Sequence, residues 1–420
     1  MNTTSSPAVA LSKFAQGLST ETAFDVLAVA RRLKAQGKDV IELQIGDSPF
    51  NSTASALKAG VEAIHKNQTH YCPSLGLPSF RDAVAANFQK EYGITIGPEN
   101  VVVGPGAKVF EQFFCEAFLD PGDEVLCFSP QFPTYVPNIQ RRAAAMVTSD
   151  LKQENAFRPN LDDVAAFVKR PKARAIFLNS PHNPTGGVAT EDDLRRLADL
   201  IRGKNIAVFS DEPYNHMVWT GKHVPMLAME GMLDQVVACY TFSKSYSMSG
   251  WRLGYAVSSA RIIESIGKMI NTALSCVPPI VQLAGEAALR NDDVERDEVM
   301  GRFKKKVELL VSELKAVPGV TVIMPAGTFY VFPNVAPICR ELGITSHGLA
   351  MFLLEAADDL KGVACLGGEC FGPAGQGFLR FSCAEPDDRL KDAVAFLREA
   401  VTRKDRIERY LVTHAKYRAK

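Results

Sequence analysis

Thr241-Phe242-Ser243-Lys244-Ser245-Tyr246-Ser247-Met248-Ser249-Gly250-Trp251-Arg252-Leu253-Gly254-Tyr255 is the stretch that decides how the chain is read. One amine stands among hydroxyls and small residues, with an arginine eight positions on. The apolar run Val236-Val237-Ala238-Cys239-Tyr240 just before it has the composition of a buried strand, so Lys244 is expected at that strand's carboxyl end. A lysine amine beside a phosphate site can bond covalently to a carbonyl, and a guanidinium offers a planar fork of donors for the phosphate. The competing reading is a surface lysine in a polar turn.

Two further segments repeat the pattern of strand followed by polar residues. Asn179-Ser180-Pro181-His182-Asn183-Pro184-Thr185-Gly186-Gly187 follows Ala175-Ile176-Phe177-Leu178, and Ser210-Asp211-Glu212-Pro213-Tyr214 follows Ile206-Ala207-Val208-Phe209. Ligands of open α/β sheets collect outside the carboxyl ends of the strands, so Asn183, Asp211, Tyr214 and Lys244 are expected to converge on one ligand. A buried carboxylate such as Asp211 suits an aromatic nitrogen cation, the form in which pyridoxal phosphate acts as an electron sink. Tyr214 and Asn183 can both hydrogen-bond the phenolic oxygen of that ring.

Together with Val40-Ile41-Glu42-Leu43-Gln44-Ile45-Gly46, Tyr71-Cys72-Pro73-Ser74-Leu75-Gly76 and Gly377-Phe378-Leu379-Arg380-Phe381-Ser382, these segments resemble the class I and II aminotransferases of the aspartate aminotransferase fold. The resemblance covers nearly the whole chain. It implies pyridoxal 5'-phosphate as cofactor, Lys244 as the Schiff-base lysine, Asp211 as the partner of the ring nitrogen, and Asn183 with Tyr214 at the phenolic oxygen. Phe132, in Ser129-Pro130-Gln131-Phe132-Pro133-Thr134-Tyr135, would stack on the ring where the family often has tryptophan or tyrosine. The phosphate would be held by Arg252, Thr241, Ser243 and the backbone of Gly106-Ala107-Lys108, a turn between Val101-Val102-Val103 and the helical pattern from Val109 to Phe118. Thr241 replaces the family's commoner serine or glycine and keeps a hydroxyl. Tyr71 would reach the phosphate across a homodimer interface, making the active sites shared. Arg380 would clamp an α-carboxylate, assisted by Asn183 and the backbone of Gly46; the alternative for Arg380 is a charge on an edge strand. The Gly46-Asp47-Ser48-Pro49-Phe50 turn departs from the commoner Gly-Glu-Pro-Asp-Phe form.

The expected activity is transfer of an amino group from an L-amino acid to a 2-oxo acid by a ping-pong mechanism, with a carbon-sulfur lyase or related elimination enzyme on the same cofactor as the alternative. The resemblance further implies that Lys108, after the glycine turn, would admit aspartate or glutamate by meeting the distal carboxylate; otherwise it is a solvated residue of the first helical turn. Gly104-Pro105-Gly106-Ala107-Lys108-Val109 begins like a dinucleotide fingerprint but ends on valine, and hydride transfer would leave the lysine and tyrosine motifs unused. A transcription regulator on this fold would need a DNA-reading module, and no helix-turn-helix pattern precedes the large domain.

Alternating strand and helix patterns between about 100 and 260 predict an α/β fold, with a large domain of mostly parallel sheet covered by helices. The resemblance implies a smaller α+β domain built from the N- and C-terminal segments, with residues 1–50 packing with 301–420 and 51–300 forming the cofactor-binding domain. The helical stretch Asp292 to Lys315 should lead, past Pro318-Gly319, to short strands at Val320 to Met324 and Thr328 to Phe332. Arg403 to Lys420 is expected to be a solvated helix end.

The chain has 420 residues, with 47 basic and 47 acidic, so charge argues for neither nucleic acid nor an anionic membrane, and a small molecule is the expected partner. Nine scattered cysteines without a C-x-x-C or cysteine-histidine cluster indicate neither disulfides nor a metal site. Free thiols, a polar start at Met1-Asn2-Thr3-Thr4-Ser5-Ser6, and no long apolar run make a soluble cytoplasmic protein the expectation.

Overall fold

In the computed structural model, residues 9–18 and 21–419 are described; Met1–Ser6 and Lys420 lie outside them. The strands are β1 (Asp39–Glu42), β2 (Val101–Gly104), β3 (Glu124–Ser129), β4 (Ala145–Asp150), β5 (Ala173–Asn179), β6 (Ala207–Asp211), β7 (Val236–Thr241), β8 (Gly254–Val257), β9 (Tyr330–Val331), β10 (Lys361–Ala364), β11 (Leu366–Gly367) and β12 (Leu379–Ser382). Seven of them form the main sheet, in the order β2-β8-β7-β6-β5-β3-β4. Its neighbours run parallel except β8, which is antiparallel to both β2 and β7.

The near-continuous apolar runs of the sequence are what a sheet covered on both faces requires. Alternate residues separate cleanly. Val101, Val103, Ile176, Leu178, Val208, Val236 and Ala238 enter one core, and Val102, Ala175, Phe177, Ala207, Phe209, Val237 and Cys239 enter the other. The helix Lys108–Phe118 covers the second face with Phe110, Phe113 and Phe114. The helix Glu191–Ile201 is started by a capping box in which Thr190 and Asp193 satisfy each other's backbone N–H.

A third core joins the two ends of the chain. Val26 and Ala30 of the helix Thr22–Ala35, with Val40, Ile41 and Leu43, share it with Leu353, Val363, Leu379 and Leu397. Phe303, Val307, Leu310 and Leu314 bring the 23-residue helix Asp293–Lys315 into it at helical spacing. β1 pairs in parallel with β10, so the N-terminal segment is part of a sheet with a strand more than three hundred residues later.

Two expectations change, and one alternative falls away. Val320 to Met324 is not a strand: Thr321 makes a single bridge to Asn334, and the following strand is only Tyr330–Val331. Pro325-Ala326-Gly327 interrupts the run, and Gly327 bridges to Val218 instead. Arg380 is not on an edge, because β12 lies between β11 and β9. The C-terminal stretch is more than a solvated end: the helix Lys404–Thr413 buries Ile407, Tyr410 and Leu411, whose spacing of three and four places them on one face. All nine cysteines are free thiols, and no helix among the described residues is long and apolar enough to cross a membrane.

Two glycines give opposite expectations for stability. Gly254 starts β8, and a Cβ there would lie 2.6 Å from the Tyr240 carbonyl oxygen and 2.7 Å from the Gly106 backbone. Gly301 lies within the helix Asp293–Lys315 with open space around its missing Cβ. Gly254→Ala should lower the thermal midpoint, whereas Gly301→Ala should raise stability by about 1 kcal/mol through helix propensity. Calorimetry on the two variants checks both signs.

Candidate active site

The parallel register aligns the strand ends: Asn179 lies opposite Asp211, and Asp211 opposite Cys239. Asn179 Nδ2 donates to the Asp211 carbonyl at 2.8 Å, and its Oδ1 accepts from the Asn183 N–H at 2.8 Å. The side chain of Asp211 is left facing the cavity beyond the sheet, where it takes a 2.5 Å hydrogen bond from the Tyr135 hydroxyl. Burial pushes its carboxyl up to about 6, against the downward pull of Tyr135. A cation brought beside it would favour the ionised form.

Lys244 sits on the short helix Phe242–Ser245, immediately after β7. Thr241 caps that helix by accepting from the Ser243 N–H, and the Thr241 and Ser243 hydroxyls are 2.9 Å apart. The Lys244 amine donates to the Gly46 carbonyl at 2.5 Å. Arg252 adopts a left-handed conformation (φ 57°) that turns its guanidinium toward the turn before the helix Lys108–Phe118, where Nη2 donates to the Pro105 carbonyl at 3.1 Å. Gly106 is required there, since its φ is +87° and a Cβ would stand 2.6 Å from Arg252 Nη2. A guanidinium, two hydroxyls and a helix N-terminus therefore surround one corner of the cavity, the donor set that binds an anion.

Arg380 is buried between two rings, 4.4 Å from the Tyr330 centroid and 5.0 Å from that of Phe371. Its Nη1 donates to Asn183 Oδ1 at 3.1 Å and its Nη2 to the Gln44 carbonyl at 2.5 Å, while Nε has no partner among the described residues. A buried guanidinium with donor capacity to spare and no facing carboxylate invites an anionic ligand. Tyr330 also hydrogen-bonds Tyr214, hydroxyl to hydroxyl at 3.2 Å. Gly46 makes room for it, because a Cβ there would meet the Tyr330 hydroxyl at 1.7 Å.

A cavity of 480 Å³ brings these groups together: Gly46, Ala107, Lys108, Phe132, Asn183, Asp211, Tyr214, Thr241, Ser243, Lys244, Arg252 and Arg380 all line it. Gly106 shapes the turn behind it. Tyr71 does not reach it and is 87% exposed. Glu21, Phe24, Glu111 and Tyr330 line the cavity without having been singled out in the sequence, and Tyr135 supports Asp211 from behind. Glu21 forms an ion pair with Lys108, whose amine stands 5.2 Å over the Phe132 ring. The pattern of strand ends could have revealed Tyr135, six residues past β3; nothing local marks Glu21 or Tyr330. The residues fit pyridoxal phosphate: an amine, a buried carboxyl, an anion corner built around a glycine that a Cβ would block, and a second guanidinium with spare donors.

Glu111 lies in the same cavity on the helix Lys108–Phe118 and accepts from Thr134 Oγ1 at 2.6 Å and Asn138 Nδ2 at 3.2 Å. Burial, reinforced by the neighbouring Asp211 charge, pushes its carboxyl up to about 8. Because the ordinary value is 4.5, the unfolded chain gives up this proton at a lower pH than the native protein does. The contribution is complete below about 4.5 and is lost as pH climbs toward about 8, so stability falls with pH across that window. Glu111→Gln removes the titration. The thermal midpoint of the cofactor-free variant should fall less steeply between those limits than that of the parent; parallel curves would show that Glu111 does not hold the proton.

A profile of the family described as Aminotransferase class I and II matches residues 38–397. Aspartate aminotransferase of Pyrococcus horikoshii is 32% identical over 87% of this chain and 91% of its own length. A probable aspartate/prephenate aminotransferase of Aquifex aeolicus is 33% identical over 90% of this chain and 94% of its own. The structure of Thermus thermophilus aspartate aminotransferase with maleate superposes with a TM-score of 0.87 at 28% identity, covering 94% of this chain and 100% of that one. With the profile spanning most of the sequence and the cavity equipped for the same cofactor, the chain belongs to the class I and II aminotransferases, which work with pyridoxal phosphate.

Proposed function

We propose that this aminotransferase moves the amino group of an L-amino acid to a 2-oxo acid in two half-reactions, with Lys244, Asp211 and Arg380 in the leading roles. The observation that carries the reading is the meeting of these three side chains, from three separate segments, in one cavity. Arg252, Thr241, Ser243 and the Gly106-Ala107-Lys108 turn would hold the cofactor's phosphate, Phe132 would cover its ring, and Asn183 and Tyr214 would bond its phenolic oxygen. Bound there, pyridoxal phosphate supplies an electron sink conjugated to the substrate's α-carbon. Asp211 holds the proton on the ring nitrogen, and Tyr135 fixes the carboxylate. Arg380 grips the α-carboxylate and turns the Cα–H toward Lys244. Lys244 Nζ would take that proton as a general base and return it as a general acid.

The relatives named for aspartate support a dicarboxylic donor, and Lys108 is the cation at the cavity mouth that would meet a distal carboxylate. Such a substrate must compete with Glu21 for it. We further infer a homodimer: Tyr71, Leu57, Val61, Ile64 and Leu274 are apolar or aromatic and exposed on the single chain. A cytoplasmic location is supported by the free thiols. The shared core of the two chain ends supports a small domain of residues 1–50 with 301–420 beside a large one of 51–300.

Mass spectrometry of products from a panel of amino acids with 2-oxoglutarate or pyruvate tests the reaction. Amino and oxo acids should appear in equal amounts; free ammonia with a 2-oxo acid would mean elimination instead. In the same panel Lys108→Ala should depress aspartate and glutamate more than alanine and phenylalanine, whereas an equal change for all four would remove Lys108 from side-chain recognition. Arg380→Ala should cost roughly 2 to 5 kcal/mol in kcat/KM for every donor, because a desolvated charge loses its partner, while cofactor content stays normal. Unchanged kcat/KM would place the carboxylate site elsewhere.

A further inference from the structure

Around the two residues that follow Lys244, and outside the residues that line the cavity, lies a largely buried polar cluster that the reaction does not use. Glu91, in the helix Pro78–Tyr92, receives Arg296 Nη1 at 2.7 Å and His216 Nε2 at 3.0 Å. His216 Nδ1 is 2.9 Å from the Ser245 hydroxyl. Arg296, in the helix Asp293–Lys315, also donates from Nη1 to the Tyr246 hydroxyl at 3.2 Å. Ser245 and Tyr246 are the two residues that follow Lys244. They are held from both sides, by His216 two residues after Tyr214 and by Arg296 of the long helix.

Hydroxyl, imidazole and carboxylate in this order look like a nucleophilic triad. That reading fails on access, since Ser245 is 1% exposed and lines none of the cavity described. For a neutral imidazole the order sets the tautomer. A carboxylate only accepts, so the imidazole carries its hydrogen on Nε2, and the bare Nδ1 must accept from Ser245. Burial holds His216 below its ordinary range, with Arg296 adding to it against the pull of Glu91. The Arg296 guanidinium and the hydrogen bond from His216 hold the Glu91 carboxyl below its ordinary range despite its burial. The imidazole is thus neutral and of one tautomer, and Ser245 has one hydroxyl direction open to it.

We propose that His216 is a positioning residue for Lys244: oriented by Glu91, it anchors Ser245 and with it the turn that aims the lysine amine into the cavity. The inference rests on Lys244 being the reactive amine, so the experiment separates the two claims. Asparagine at 216 can keep an acceptor where Nδ1 stands and loses the contact with Glu91; glutamine can keep the donor to Glu91 and loses Ser245. Holoenzymes carrying His216→Asn, His216→Gln, Ser245→Ala or Lys244→Ala are compared for kcat, KM, thermal midpoint, and the pH midpoint of the bound cofactor's visible absorption.

Ser245→Ala and His216→Gln should lower kcat about tenfold, as a displaced catalytic group does, with KM within about twofold and the spectral midpoint moved. His216→Asn should recover part of that loss although it disturbs Glu91 more. The proposal is overturned if Ser245→Ala keeps the parent kcat and spectral midpoint, or if kcat follows thermal stability alone, with asparagine worse than glutamine. Turnover surviving in Lys244→Ala would overturn the lysine reading itself; inactive Lys244→Ala beside normal Ser245→Ala would overturn only the role of His216.

Discussion

Asn179, Asp211 and Thr241 end three neighbouring strands, and the parallel register of β5, β6 and β7 sets their relative heights. A shift by one residue would turn Asp211 from the cavity into a core face and exchange Phe209 for Val208 between the two hydrophobic layers. The apolar alternation that fills both layers therefore also specifies the chemistry at the rim. The side chains above the sheet are secured in turn by bonds to backbone already fixed by the ladder, as when Asn179 spans the Asp211 carbonyl and the Asn183 N–H.

The C-terminal part contributes through a different constraint. Arg380 leaves β12 in the middle of a small sheet, and its rings come from the neighbouring strand β9 (Tyr330) and from the turn between β11 and β12 (Phe371). A guanidinium packed against two rings makes its polar bonds along the edge, here to Asn183 of the turn after β5 and Gln44 of the N-terminal segment. Three distant parts of the chain meet at one charged group. This is why the cavity cannot be complete until the chain ends have packed together.

Legibility in the sequence followed distance along the chain. Lys244, Asp211 and Asn183 each stand within five residues of the end of an apolar run, so one segment contains both the strand and the residue it delivers to the cavity. The helix Asp293–Lys315 was equally legible, because its apolar spacing is carried over many turns. Glu21 is different: it is an ordinary acidic residue before a helix, and only the folding of the N-terminal segment across the cavity puts it against Lys108. Tyr330 reads as a strand aromatic until Gly46 is placed beneath it. The strand expected over Val320 to Met324 misled for a related reason: periodicity cannot supply the partner strand that a ladder needs.

The contact of Gly46 with Tyr330 has a consequence for how such a site can diverge. With only 1.7 Å between the Tyr330 oxygen and a Cβ at position 46, and 2.7 Å to the ring carbon that carries it, any side chain at 46 collides with the ring as well as the hydroxyl. Removing the hydroxyl alone does not clear the space. The two positions are epistatic in a fixed order: a lineage must first replace the aromatic ring, loosening one face of Arg380, before position 46 can explore anything but glycine. Evolutionary change at the Arg380 end of this cavity is thereby funnelled through an intermediate with a less restrained arginine.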